Sequence, residues 1–575
     1  MTFHYSKRIF VIALIVAAII LVISLCFWII FPLVFPVLVQ QNLVLSVNDD
    51  GIPSTATFFW SKPPVEAIMN FYFFNITNPD EVIYEGAKPI LLELGPFAIR
   101  YSEQKQEYRF LEDGQKVYYK NYKRYTFAKE LSCDYCDENT SLTIPNVVAV
   151  GALTSMMNPK YGCGSACRTL INIGMLLFGE NPFRTVKFID VIFNGYYDPF
   201  LSFAHSEFYV TLCDVFNNGE PLIPFPIPSM QKMAYFYGYN DTNDEDYVIE
   251  TGKSSVNEIG DIAEWAGARS LPFSWWKTLN ARMINGSDSA SLTHPQLTKN
   301  DVLPFFLSLM CRSFYAVYDG ETEVEGIPSY RFITPYEAFD TTSNENSGFR
   351  YENAEQVDYF KEWSPCPNRY PSLFRISTNY CSKITWTNCS KVTFVDCSRR
   401  ENFCNVCCEG KFVDGTYLLP PGMFPLTCFP GKNELLPFSA IFSPPHWVFS
   451  PSEVQQSVRG LSPDRSRHLP FVFTREPTSG MLTSGHVRLM ASLPLFNNNK
   501  ATMAMNVNNM LIPAFWIDTE AKLNEAIYAT IRRMFIKLPW VIRIVQIVTL
   551  VVAILIALAA IAWRIAFAFY KRRHQ

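Results

Sequence analysis

Two stretches of the chain carry no charge at all. From residue 9 to residue 48 there is no Asp, Glu, Lys, Arg or His, and the densest apolar part covers 9–30. At about 1.5 Å per residue that run crosses a hydrocarbon core of about 30 Å, so it predicts a membrane-spanning helix over 9–31. Pro32 and Pro36 are expected to end or kink it. A cleaved signal peptide is the other reading, but it needs a shorter apolar core and small residues after it, whereas Phe31, Leu33 and Phe35 are bulky. The second uncharged run, 544–563, predicts another span over 541–564. Lys7 and Arg8 precede the first span, and Arg564, Lys571, Arg572 and Arg573 follow the second. Positive flanks face the cytoplasm. Both tails, 1–8 and 565–575, are therefore expected inside and a body of 40–538 outside, although Arg532, Arg533, Lys537 and Arg543 weaken the asymmetry at the second span.

Between the spans the pattern changes to alternation. Val487, Leu489, Ala491 and Leu493 share one face of an extended segment; Asn497, Asn498 and Asn499 then read as a turn, and Met503, Met505 and Val507 as the returning arm of a hairpin. The Tyr-rich segment 116–127 is a further strand candidate. Helical spacing of Leu523, Ala526, Ile527, Ile531, Met534 and Phe535 predicts a helix over 519–535, capped by Asp518 or Thr519. Segment 145–180 is apolar without alternation and reads as short helices. Region 340–410 is polar and Cys-dense, and reads as irregular and stapled. No Pro/Ser/Gly linker divides 40–540, so the expected architecture is one large β-rich domain with helical insertions, in the α+β class.

Composition narrows the function. Lys plus Arg total 49 against 53 Asp plus Glu, leaving −4, which supplies no electrostatic reason for a nucleic-acid partner. Fourteen of the 15 cysteines lie in the outer region, the exception being Cys26 within the first span. An even number in an oxidising compartment predicts disulfides. Zinc at Cys133-x-x-Cys136 or Cys404-x-x-Cys407 is the alternative, but the spacing to other cysteines is irregular and no paired His lies near. Cys26 is expected to be a buried thiol acting as a small hydrophobe. Sequons at Asn75, Asn139, Asn240, Asn285 and Asn388 all fall in the outer region and predict glycosylation there. His446 and His468 invite a catalytic reading, yet no H-E-x-x-H or G-x-S-x-G is present, so they read as core or loop histidines. No catalytic residue, metal or cofactor is expected.

The segment 57–100 carries Trp60, Lys62, Pro63, Pro64, Phe74, Asn75, Thr77, Asn78, Pro79, Gly86, Pro89, Glu93, Gly95 and Pro96. This pattern resembles the membrane-proximal signature of the CD36-like (class B) scavenger receptors. Further motifs of that family follow in order: Tyr197-Asp198-Pro199-Phe200, Met283-Ile284-Asn285-Gly286-Ser287-Asp288, Cys311-Arg312-Ser313-Phe314-Tyr315, Ser443-Pro444-Pro445-His446-Trp447, Gly460-Leu461-Ser462-Pro463-Asp464, His468, Glu476-Pro477, Gly480, and Pro513 with Trp516.

The resemblance implies a barrel-like ectodomain with an apical helical bundle and an apolar tunnel, held by terminal transmembrane helices. It implies a cell-surface receptor that binds lipoproteins, fatty acids or other lipids at the apex and passes lipid to the membrane, without enzymatic chemistry. The apex is expected in about 146–188, with Leu176, Leu177, Phe178 and Phe183 touching lipid and Arg184 or Lys187 meeting a carboxylate or an anionic particle. Fatty-acid-binding relatives carry clustered lysines there; Glu180 in Gly179-Glu180-Asn181-Pro182 departs from that pattern. Cys311 and Cys428 fall where the family has a disulfide, and Cys163 with Cys167 suggests an extra staple of the apex. The plasma membrane is favoured over the lysosome, because Tyr-Lys-Arg-Arg-His-Gln at the C-terminus lacks a di-leucine-type signal. A homo-oligomer is left open. Two other readings stand beside this one: a protein-binding adhesion or ligand-delivery receptor of the same family, and a two-span ion channel, for which Gln546 and Thr549 are the polar positions in the second span.

Overall fold

The alternation between the spans is realised as one sheet of 14 strands. The computed structural model describes residues 2–573 except 226, 228–231, 342, 344, 352–356, 358, 361–362, 364–406, 409–410 and 413–418. The strands follow the order Ser287–Asp288, Val302–Leu307, Arg312–Val324, Ile327–Ile333, Phe471–Arg475, Leu482–Leu495, Met510–Leu523, Val65–Ile76, Leu91–Leu111, Lys116–Phe127, Thr242–Glu250 and Ile262–Trp265. A hairpin of Phe424–Cys428 and Leu435–Ser443 joins through Leu482–Leu495. The two ends of the path meet, since Asp261 bridges Ser287 and the Ile262 N–H donates to the Gly286 carbonyl at 3.0 Å. The sheet is therefore nearly closed, which removes most of its exposed edges. Period-two burial shows why these sequences became strands: in Leu91–Leu111, Phe97 and Ile99 are buried while Arg100, Ser102 and Gln104 face water. The interior is aromatic, with Phe97 stacked on Phe188 at 4.3 Å and Phe71, Phe73 and Phe515 packed around them.

Both anchors leave from one end. Val65 pairs with Leu523, so the strand that follows the first membrane helix lies beside the strand that precedes the second. Two helices are long and apolar enough to cross a membrane, within Arg8–Leu43 and Glu525–Tyr570. They pack together: Ser24 Oγ donates to the Gln546 carbonyl at 3.1 Å, Gln546 Nε2 donates to the Phe27 carbonyl at 3.0 Å, and Thr549 Oγ1 bonds Ser24 Oγ at 3.2 Å. The polar positions of the spans thus satisfy one another, as apolar surroundings demand.

Several expectations need correction. The first helix, Thr2–Leu43, runs through Pro32 and Pro36 without ending. Phe35 packs on Phe535 of the other helix at 6.2 Å, so neighbouring contacts hold the proline-bearing turns. Cys26 is a free thiol on the outward face of the span, so its surroundings are lipid rather than protein. The hairpin exists, but its second arm is Met510–Leu523; Thr502–Ala504 is a short 3-10 turn within the connecting loop. The carboxy-terminal helix begins at Glu525 with Asn524 as cap, its Oδ1 accepting the Ile527 N–H at 3.0 Å, whereas Asp518 and Thr519 lie in a strand. Cross-strand pairing of 519–522 with both Val65–Ile76 and Leu482–Leu495 outcompetes the local helical period there. Most of 340–410, with Asn388, lies outside the described residues.

Candidate functional site

The loop joining Leu482–Leu495 to Met510–Leu523 sits at the sheet end opposite the membrane helices. Asn172 binds that loop, its Oδ1 accepting the Thr502 N–H at 2.8 Å. Helix Ser165–Leu177, which carries Asn172, is therefore distal to the membrane. Val147–Met157 packs with it, Phe178 at its end meets Phe200 and Phe203 of Pro199–Ala204, and Glu207–Asn217 packs on Pro199–Ala204. Their starts are set locally: Asn146, Asp198 and Ser206 accept the N–H groups of Val148, Leu201 and Tyr209 at 3.2, 2.8 and 3.1 Å.

Beneath these helices lies a small apolar cavity of about 50 Å³, lined by Val147, Gly151, Ala152, Phe200, Phe225 and Phe438 among others. That volume is well below the roughly 300–1,000 Å³ usual for small-molecule pockets, so holding an acyl chain requires the walls to part. Gly151 helps to make room, since a Cβ there would stand 3.1 Å from Phe438 Cβ.

Above the cavity the helices expose apolar side chains. Leu176 is 53% and Leu177 77% exposed. Phe178 is half-buried and links inward and sideways, with its ring 6.5 Å from Phe200, which lines the cavity, and 5.3 Å from Phe203, itself 6.2 Å from Phe208. Phe183 is buried in the strand Phe183–Lys187 and reaches no surface. The second apolar face was missed from sequence: Phe208, Val210, Val215 and Phe216 on Glu207–Asn217 are all exposed. A Ser-capped helix whose outward positions are Phe and Val, rather than charged, was the available signal.

The charged candidates separate. Arg184 Nη1 lies 3.0 Å from Asp198 Oδ2 and 3.5 Å from Glu180 Oε1, and Nη2 donates to the Tyr197 carbonyl at 2.9 Å. Its donors are committed to holding the bundle. Asn146 Nδ2 adds a bond of 2.7 Å to Glu180 Oε2. Glu180 is pushed up to about 7, by burial first and then by Asp198. The residue that departs from the family's lysine pattern is thus the centre of an internal node. Lys187 is exposed and donates to Asn139 Oδ1 at 3.1 Å, beside a sequon.

Disulfides join Cys133 to Cys136, Cys163 to Cys167 and Cys311 to Cys428. Cys133 and Cys136 are bonded to each other rather than set to hold zinc. Cys213 is a buried free thiol, so the even count does not mean that every outer cysteine is bridged. Asn75 Oδ1 accepts the Thr143 N–H at 2.7 Å, and Asn240 bonds both main-chain groups of Tyr125, at 2.9 and 3.2 Å. Asn285 is half-buried. His446 and His468 are both buried.

A nearly closed β body capped by helices and tethered by two adjacent spans defines a class of double-anchored membrane proteins. The family model described as "CD36 family" matches residues 13–563, and the chain belongs to that family. It is similar to an uncharacterised protein of Caenorhabditis elegans, 39% identical over 92% of both chains. Lysosome membrane protein 2 of Mus musculus is 31% identical over 56% of this chain and 63% of its own length. Scavenger receptor class B member 1 of Rattus norvegicus is 23% identical over 92% of this chain and 84% of its own.

Proposed function

We propose that this protein is a scavenger receptor that takes lipids and lipoprotein particles at its helical apex and passes lipid through the ectodomain to the membrane. One observation carries this reading: exposed Leu176 and Leu177 continue through Phe178 to Phe200, the wall of an apolar cavity. An acyl chain gains about 0.8 kcal/mol per CH₂ on leaving water, so a rim of exposed apolar residues above a carbon-lined cavity favours uptake without any bond chemistry. The rings of Phe71, Phe73, Phe97 and Phe188 fill the barrel, so passage toward the membrane requires them to move. We place it at the plasma membrane, with the positive flanks of the two spans supporting cytoplasmic tails; surface biotinylation separates this from a lysosomal location.

Uptake of fluorescent lipid and lipoprotein by cells expressing the chain tests the reading. Leu176→Asp with Leu177→Asp should weaken capture, and Ala204→Trp, which fills the cavity, should block uptake. Uptake equal to mock cells at normal surface levels would remove the proposal. The exposed Phe208, Val215 and Phe216 also suit a protein partner. Capture of particles that survives Ala204→Trp, with no lipid transfer, would favour that second reading.

A further inference from the structure

Arg312 is a lone cation in the interior. It is 2% exposed, and its guanidinium lies over the Phe349 ring at 3.6 Å, with Phe314 at 4.6 Å and Phe424 at 5.0 Å. Nη2 donates to the Ala338 carbonyl at 2.5 Å. Among the described residues Nε and Nη1 have no acceptor, and no carboxylate pairs with the group. Burial pushes it down to about 9, with Tyr315 opposing, so it stays charged at neutral pH.

Other buried and half-buried cations are treated differently. Lys105 meets Glu103 at 2.8 Å, Lys123 meets Asp244 at 2.7 Å, and Arg184 meets Asp198 at 3.0 Å. Arg475 spends two nitrogens on the Gly480 and Ala290 carbonyls and so fastens a loop. Arg312 has a single carbonyl and an aromatic surround. Cation–π contact recovers part of the desolvation penalty of an isolated ion, not all of it.

The surround is assembled from separate segments. Arg312 opens the strand Arg312–Val324; the Cys311–Cys428 disulfide brings in Phe424; Phe349 comes from the turn Ser347–Phe349. Phe314 and Phe424 belong to the same apolar core as the cavity walls.

We infer that Arg312 anchors the anionic head of an acyl-chain lipid, carboxylate or phosphate, with the chain lying against Phe314, Phe349 and Phe424. Nε and Nη1 donate to the head, and the rings provide an apolar wall for the first methylenes. The inference rests on the lipid-handling reading and adds to it a preference among cargoes: an anionic amphiphile is held where a neutral one of equal length is not.

Purified full-length protein in nanodiscs tests this with diazirine-bearing hexadecanoic acid, hexadecyl phosphate and hexadecanol. The acid, the phosphate or both should label peptides containing Phe314, Phe349 or Phe424 roughly tenfold more than the alcohol, and should raise Tm where the alcohol does not. The arm that labels names the head group. Arg312→Met should remove the difference between acid and alcohol and raise Tm without ligand, because a lone buried charge is replaced by a hydrophobe of similar length; a purely structural arginine would lose stability instead. The wild-type labelling stands even if that variant does not fold. Label confined to cavity residues, equal for all three probes, would overturn the inference and leave the lipid reading intact. Label nowhere would overturn both.

Discussion

His446 Nε2 stands 2.7 Å from Glu93 Oε2, the same oxygen that accepts the Trp516 indole N–H at 3.1 Å. Behind it His446 stacks on His468 at 4.3 Å. The Nδ1 atoms of the two rings accept the N–H groups of Ser462 and Asp464 at 3.1 and 3.0 Å. Each ring therefore offers a lone pair at Nδ1, and together they pin the loop that precedes strand Phe471–Arg475.

This pair predicts sensitivity to acid. His468 is pushed from 6.5 to about 4, by burial first and then by His446 and Arg467. The folded state refuses a proton that the unfolded chain accepts, so the contribution is present above about 6.5 and is lost as pH falls toward 4. Thermal melts of the full-length protein between pH 7 and 4 should show falling Tm, and His468→Asn, which keeps an acceptor for the Asp464 N–H, should flatten that slope. An unchanged slope would refute the assignment.

The apical node predicts the opposite sign. Glu180 is raised from 4.5 to about 7, so its contribution is full below about 4.5 and is lost as pH rises through about 7. Glu180→Gln should remove the loss on the alkaline side. Arg184→Ala leaves two buried carboxyls without their shared cation and should lower stability by on the order of 3 kcal/mol, read as a drop in Tm that is partly relieved at pH 5.

Gly286→Ala should be among the most damaging single-methyl changes in the chain. Gly286 has φ of 73°, and a Cβ would collide with the Pro304 carbonyl, whose strand it hugs. Strain and clash together imply a loss of about 3 kcal/mol or more. Retention in the early secretory pathway, seen as glycans that stay endoglycosidase-H sensitive, is the expected outcome; normal maturation would contradict it.

Gln546→Leu tests the contact between the spans. Interhelical hydrogen bonds in membranes contribute about 0.6–2 kcal/mol, so cross-linking between cysteines placed on facing positions of the two helices should fall modestly while surface expression persists. Since Gln546, Thr549 and Ser24 satisfy one another, proton- or ligand-evoked current should equal that of mock cells. A current abolished by Gln546→Leu would revive the channel reading.

Much of the site escaped the linear reading because its parts are distant in sequence. Leu176 and Leu177 could be picked from an apolar segment, but Phe183 has the same hydrophobicity and is buried by pairing with Pro145. Arg184 looked like a ligand contact until Asp198, fourteen residues on, was found beside it. Nothing local in Cys311-Arg312-Ser313 announces that the arginine meets three phenylalanines and no acid.

The sequence alone determined the two spans, the strand-rich body between them and the family pattern, because membrane crossing, alternation and motif spacing are read along the chain. The tertiary structure decided which apolar residues face water, which charges are already paired, which cysteines are bridged, and that a cavity lies below the apex. Those depend on partners brought together by barrel closure and helix packing, and burial or pairing of a side chain is a property of its neighbours rather than of its own segment.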